Sequence, residues 1–270
     1  MATDATEICN LALLKMGQST IDDAVTPGSS VLEVKCNLLY EQCRDELLVE
    51  GPQLGWKFAT RRYNEIDDER FTIISIAESS TSGDITVTAT HTLQVGDLVE
   101  LDGDTGYDGE YEVTAISTTE TFDVTATFVA TGTGYAYWRS GEYSYRYLIP
   151  SSPTVLRISS VQVGGVEITD WIREGDYILT NEESDEISLT IVQQITDTTK
   201  FPPWFTRLLV LKLAIELHYN LTQDLRAIQL LGQEYDLAWS KAVAMDEREK
   251  YVAESDTSWV DAGNVNDNII

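Results

Sequence analysis

The sharpest candidate for chemistry is Asp102-Gly103-Asp104-Thr105-Gly106-Tyr107-Asp108-Gly109-Glu110, whose close carboxylates are hard oxygen ligands that suit Ca²⁺. Asp102, Asp104 and Asp108 are the candidate ligands. The run is not an EF-hand loop, because the sharp-turn glycine position holds Tyr107 and the closing glutamate position holds Val113. A solvated hairpin loop is the alternative reading, and no cofactor is expected. A second candidate, the pair Arg61-Arg62 near Trp56, could touch phosphate. Glu65, Asp67 and Asp68 follow closely enough to neutralise it, and a neighbouring subunit could do the same.

The other chemistry-bearing residues are sparse. Cys9, Cys36 and Cys43 all fall in helical pattern, form no CxxC or Cys/His set, and read as buried thiols. His91 and His218 are the two histidines, far apart in sequence, one in a strand-turn region and one in a helix. The sequence holds no GxSxG elbow, P-loop, dinucleotide fingerprint or HExxH helix, so the expectation is a protein that is not an enzyme.

The elements that would position these residues follow from periodicity. Asp4 and Glu7 have capping-box spacing ahead of Ile8, Leu11 and Leu14, and Gly17 offers a stop. Ser30 and Glu33 repeat that spacing before a second helix carrying Val31, Leu38, Leu39, Cys43 and Leu47, which stops at Gly51-Pro52. Trp56 and Phe58 then read as aromatic core. From Ile85 to Val124 the period falls to two, with Gly-rich turns. A second β region runs from Tyr143 to Val192, with a hairpin signal at Gly164-Gly165.

Phe201-Pro202-Pro203-Trp204-Phe205 opens a helix that is apolar nearly all round, as a central helix should be. Thr222 is the expected cap of a last helix with the stripe Leu225, Ile228, Leu231, Tyr235, Trp239 and Ala242. Beyond Tyr251 periodicity ends, yet Trp259, Ile269 and Ile270 are more apolar than a solvated tail needs.

These elements predict an α+β fold. N- and C-terminal helices form an antiparallel helical bundle, with a β-sheet region and an inserted small β-barrel module between them. The expected divisions are residues 1–66, the N-terminal helices; 67–140, the inserted acidic module; 141–200, the sheet region; 201–250, the C-terminal helices; and 251–270, an extended arm.

Charge narrows the partners. The net charge is −27, and from Phe71 to Trp138 there are 11 acids with no lysine or arginine. Such a surface repels phosphate, which argues against an electrostatic grip on nucleic acid. Plain solubility is the other explanation. No run approaches the roughly 18 apolar residues of a membrane span, and Met1-Ala2-Thr3-Asp4 is unlike a signal peptide, so synthesis in the cytoplasm with no membrane partner is expected.

Parts of the chain also resemble a family. Glu7-Ile8-Cys9-Asn10-Leu11-Ala12-Leu13, the helix with Tyr40, Arg44 and Leu47, and Trp56-Lys57-Phe58-Ala59 look like the opening of phage head-to-tail adaptor proteins of the tail tubular protein A type. The likeness resumes at Tyr145-Arg146-Tyr147-Leu148-Ile149-Pro150, Tyr177-Ile178-Leu179-Thr180 and Phe201-Pro202-Pro203-Trp204-Phe205. The stretch from about 70 to 140 departs from that pattern and instead resembles compact β modules inserted into phage virion proteins.

The resemblance implies a non-enzymatic ring in the virion neck, usually of twelve subunits. Such a ring docks under the portal protein, meets the tail nozzle or tail tube, and passes DNA without specific binding. Tyr40, Arg44, Trp56, Phe58, Arg61 and Arg62 are then candidates for the ring interface or the bundle. Tyr251, Trp259, Ile269 and Ile270 are candidates for a portal- or subunit-docking arm. A virion binding module, a tail spike or capsid-decoration protein using the β insert, is the alternative.

Overall fold

A computed structural model of the chain describes residues 4–26, 28, 30–81, 83–103, 106–140, 142–182, 184, 186–222 and 224–249. It divides into two compact units: a helical one (Met1–Pro52, Trp56–Phe58 and Ile195–Ile270) and a β one (Gln53–Gly55 and Ala59–Gln194).

The helical unit is organised by α3 (Pro203–Leu221), whose Phe205, Leu208, Leu209, Leu211, Leu213, Ala214 and Leu217 are buried. Against it pack α1 (Ala5–Lys15), α2 (Val31–Val49) and α4 (Leu225–Arg248). Asp4 caps α1 by accepting the Glu7 N–H at 2.7 Å. The helix ends where Gly17 takes φ 70° and the Gln18 N–H reaches back to the Leu13 carbonyl, a left-handed stop that glycine adopts without strain. Ser30 makes no capping bond at α2; Glu33 accepts instead from the Gly28 N–H at 2.9 Å. Thr222 does not cap α4 but closes α3, its N–H bonded to the His218 carbonyl. Asp224, one residue before α4, accepts from the N–H groups of Arg226 and Ala227.

The β unit holds three antiparallel sheets. A seven-stranded sheet comprises β2 (Arg70–Ile73), β3 (Ser75–Glu78), β4 (Asp84–Thr88), β5 (Leu98–Gly103), β6 (Gly109–Thr118), β7 (Thr121–Thr125) and β8 (Gly134–Arg139), in the order β2-β8-β5-β6-β7-β4-β3. Its two end strands, β2 and β3, are consecutive in the chain and parted by Ile74. Alternate residues such as Ile85 and Val87, Phe122 and Val124 fill the core enclosed by its two halves.

Strands β1 (Thr60–Asp67), β10 (Val155–Val163), β11 (Val166–Glu167) and β14 (Glu186–Gln193) form a second sheet, ordered β1-β14-β10-β11. Gly164 and Gly165, at φ 56° and 81°, make the β10–β11 turn, where two positive φ angles match a tight hairpin. The third sheet is β12 (Trp171–Glu174), β13 (Tyr177–Thr180) and β9 (Tyr145–Leu148). On β13, Ile178 points into the core of the second sheet and Leu179 into that of the first, so the third sheet contributes to both.

This architecture corrects the expected fold. Its main feature is a sandwich-like set of three antiparallel sheets with fourteen strands among the described residues. Four α-helices are confined to the N- and C-terminal segments. It is not a helical bundle carrying a small barrel. Two physical reasons stand out. The stretch near 70–140 forms a seven-strand ladder whose end strands do not pair with each other, while residues 60–67 and 145–193 build two further sheets. Several apolar residues expected to zip a bundle, Leu11, Leu14, Val31, Leu38 and Leu225, are exposed instead.

Candidate functional site

In the helical unit an aromatic knot holds the Trp56–Phe58 turn. Trp56 is fully buried and donates its Nε1–H to the Leu47 carbonyl at 2.9 Å. Its ring lies 4.9 Å from Trp204 and 5.3 Å from Trp239, and Phe58 lies 4.8 Å from Phe205, centroid to centroid. Trp56 and Phe58 thus face inward. So do Tyr40 and Arg44 on α2: Arg44 forks onto its neighbour Asp45 at 2.8 and 3.1 Å, and its guanidinium sits 5.9 Å from the Tyr40 ring. Burial raises the Tyr40 phenol, with Arg44 opposing.

Among the residues the helices turn outward are several large apolar ones. On α2, Val31, Val34 and Leu38 are exposed; on α4, Leu230 and Leu237 are each 66% exposed. Leu11 and Leu14 of α1 form, with Pro203 and Val210 of α3, an open groove of about 590 Å³. At its rim Lys15 and Arg207 converge on Glu234 of α4, at 2.7 and 3.2 Å. Three helices therefore meet in one charge cluster.

The β unit contains a polar joint built on two stacked arginines. Arg146 of β9 lies with its guanidinium 4.4 Å from the Trp138 ring centroid and 4.5 Å from that of Tyr177, while its Nε–H donates to Glu69. Arg139 of β8 sits 5.0 Å from both Tyr137 and Tyr145, donating from Nε to Glu100 at 2.9 Å and from Nη1 to Asp68 at 3.4 Å. Burial raises the Asp68 carboxyl, against the Arg146 N–H and the Arg139 charge that lower it. Asp68 is therefore engaged by Arg139, not by Arg61 or Arg62. Those two are exposed on β1 and form no ion pair among the described residues; Arg61 stacks 4.9 Å from the Tyr63 ring. The joint was legible only as alternation of aromatic and arginine in Trp138-Arg139 and Tyr145-Arg146-Tyr147, a pattern that marks stacking only once strands pair.

In the acidic run, Asp108 Oδ1 accepts the Gly103 N–H at 3.1 Å and Asp102 lies on β5; Asp104 lies outside the described residues. No group of three or more His, Cys, Asp or Glu that could hold a metal occurs among the described residues. Tyr251, Trp259, Ile269 and Ile270, the expected docking arm, also lie outside them. Cys9, Cys36 and Cys43 are buried free thiols, and burial pushes Cys43 up to about 12. His91 belongs to the β unit, where its Nδ1 accepts the Leu93 N–H at 3.2 Å; His218 belongs to α3, bonded to Thr222 at 2.6 Å. No helix among the described residues is long and apolar enough to cross a membrane. No family model and no curated protein matches the chain.

Proposed function

We propose that this chain is a structural head-to-tail adaptor of a tailed phage. Copies of it form a ring that docks under the portal protein and carries the DNA channel toward the tail nozzle or tail tube. The observation that carries this reading is the set of apolar side chains on the outer faces of α2 and α4. Val31, Leu38, Leu230 and Leu237 are each about two-thirds exposed, at 65 to 67%. Covering one such side chain contributes roughly 1.5–3 kcal/mol, so a protein that keeps four of them on the outside of rigid helices is suited to association.

Two further features support the reading. The resemblance of the N-terminal helices, the Tyr145–Pro150 strand and the opening of α3 to head-to-tail adaptors points to a virion neck. The acid-only stretch Phe71–Trp138 spans the strands from β2 to β8, and a net charge of −27 suits a conduit along which a duplex slides without being gripped. Gold labelling of the chain within intact virions tests the assignment. An adaptor places the label at the single vertex joining head and tail. Label spread over the capsid surface or on the spikes would replace this reading with the decoration or tail-spike one.

A further inference from the structure

We infer that the outer face of α2 in one copy packs on the outer face of α4 in a second copy; this rests on the ring reading and names the surface that would build it. Two outward seams carry the inference. On α2 the exposed residues Val31, Val34, Leu38 and Glu41 recur at steps of three, four and three. On α4 the exposed Leu230, Gln233 and Leu237 recur at three and four. Both are the spacing with which one helix seats its side chains between those of another.

The two seams fit each other in length and charge. Val31 and Leu38 lie seven residues apart, as do Leu230 and Leu237, so the two pairs have the same rise of about 10.5 Å. With those pairs opposed, Glu41 falls one turn beyond the apolar contact in either direction. Antiparallel helices bring it to Arg226, four residues before Leu230; parallel helices bring it to Lys241, four residues after Leu237. Glu41, Arg226 and Lys241 are all exposed, and none forms an ion pair with a described residue. In a chain with 18 basic against 45 acidic residues, uncommitted cations flanking an apolar seam select an acid-bearing partner face. A contact between two different faces is heterologous, so it passes from copy to copy and closes when the rotation does.

The experiment is sedimentation velocity of the full chain across concentration, with Leu38→Glu, which spoils the α2 face, and Leu237→Glu, which spoils the α4 face. Both residues are exposed, so at a dilution where the parent too is monomeric the helical content and melting temperature of each variant should match it. The parent assembles; each variant alone stays monomeric. An equimolar mixture of the two forms a dimer and nothing larger, because only one intact α2 face and one intact α4 face remain to meet. Glu41→Arg should raise the half-assembly concentration about tenfold. Arg226→Glu restores it if the helices run antiparallel, and Lys241→Glu if they run parallel. Assembly of both leucine variants like the parent, or rescue of Glu41→Arg by neither reversal, overturns the inference while leaving a ring built otherwise. A parent monomeric at every concentration, and also when mixed with a portal ring, overturns both.

Discussion

Lys57 donates its backbone N–H to Asp246 Oδ1 at 2.9 Å, and its ammonium reaches the same residue's carboxylate and main-chain carbonyl. Asp246 is 1% exposed, in the last turns of α4, so this carboxylate ties the turn beside Trp56 to the end of a helix nearly 190 residues away in sequence. Asp246→Ala leaves the Lys57 N–H without its acceptor and takes the carboxylate from beside the ammonium, which keeps only the main-chain carbonyl. The expected loss is about 2–3 kcal/mol in urea unfolding. Asp246→Asn, which keeps the shape and an acceptor but not the charge, should lose less; equal losses would mean that the negative charge, and not the acceptor, carries the tie.

The stacked arginine of the β unit gives a sharper test. Arg146→Ala strands Glu69, whose side chain is 11% exposed, and should cost about 3–5 kcal/mol. Arg146→Met with Glu69→Gln removes both charges while keeping a flexible side chain between Trp138 and Tyr177, and should recover much of that loss. Chemical unfolding followed by tryptophan emission reports it. A double variant no better than Arg146→Ala would show that stacking, and not the buried charge pair, dominates.

Gly51 has no room for a side chain. A Cβ there would stand 2.7 Å from the Nε1 of Trp56, an indole held by the Leu47 carbonyl and packed against Trp204. Gly51→Ala should destabilise the helical unit by about 1–3 kcal/mol. Thermal unfolding of Gly51→Ala beside Gly17→Ala, where open space surrounds the site but φ is positive, separates crowding from backbone strain.

The three-helix charge cluster predicts a pH dependence. The Lys15 hydrogen bond holds the Glu234 carboxyl below its ordinary value of 4.5, with slight burial opposing and Arg207 assisting. A carboxyl lowered on folding stabilises the folded state above its unfolded value, and that contribution is lost as pH falls through the folded value. Glu234→Gln should therefore cost less than about 1 kcal/mol at neutral pH, because the pair is partly exposed and screened. The gap between parent and variant should close in acid. A gap unchanged by acid would assign the effect to packing.

Much of the local structure was legible in the residues. Asp4 caps α1, Gly17 stops it, Gly164-Gly165 turns a hairpin, and most of the apolar residues of α3 are buried, because each of these depends on side chains within one turn or one helix. The larger arrangement was not. Residues 60–66 look like an exit from helices but pair as β1 with β14, over 120 residues later, and nothing local specifies that partner. Leu11, Leu14, Val31 and Leu38 fit a helical period and were expected inside; the buried faces lie one step round, through Cys9 and Ala12 on α1 and Cys36 and Tyr40 on α2. Periodicity marks an apolar seam without saying whether the covering surface belongs to the same chain. The arginine joint was hidden for the same reason, since Glu69, Thr92, Trp138, Arg146 and Tyr177 meet only across paired strands.

The central claim, that this chain works as a ring mounted on a portal, is tested most directly by native mass spectrometry of the full-length protein mixed with portal rings of the virion to which it belongs. The account predicts uptake of a fixed, multiple number of copies per portal ring, twelve if the likeness to head-to-tail adaptors holds. A protein that stays monomeric and unbound in that mixture would contradict it.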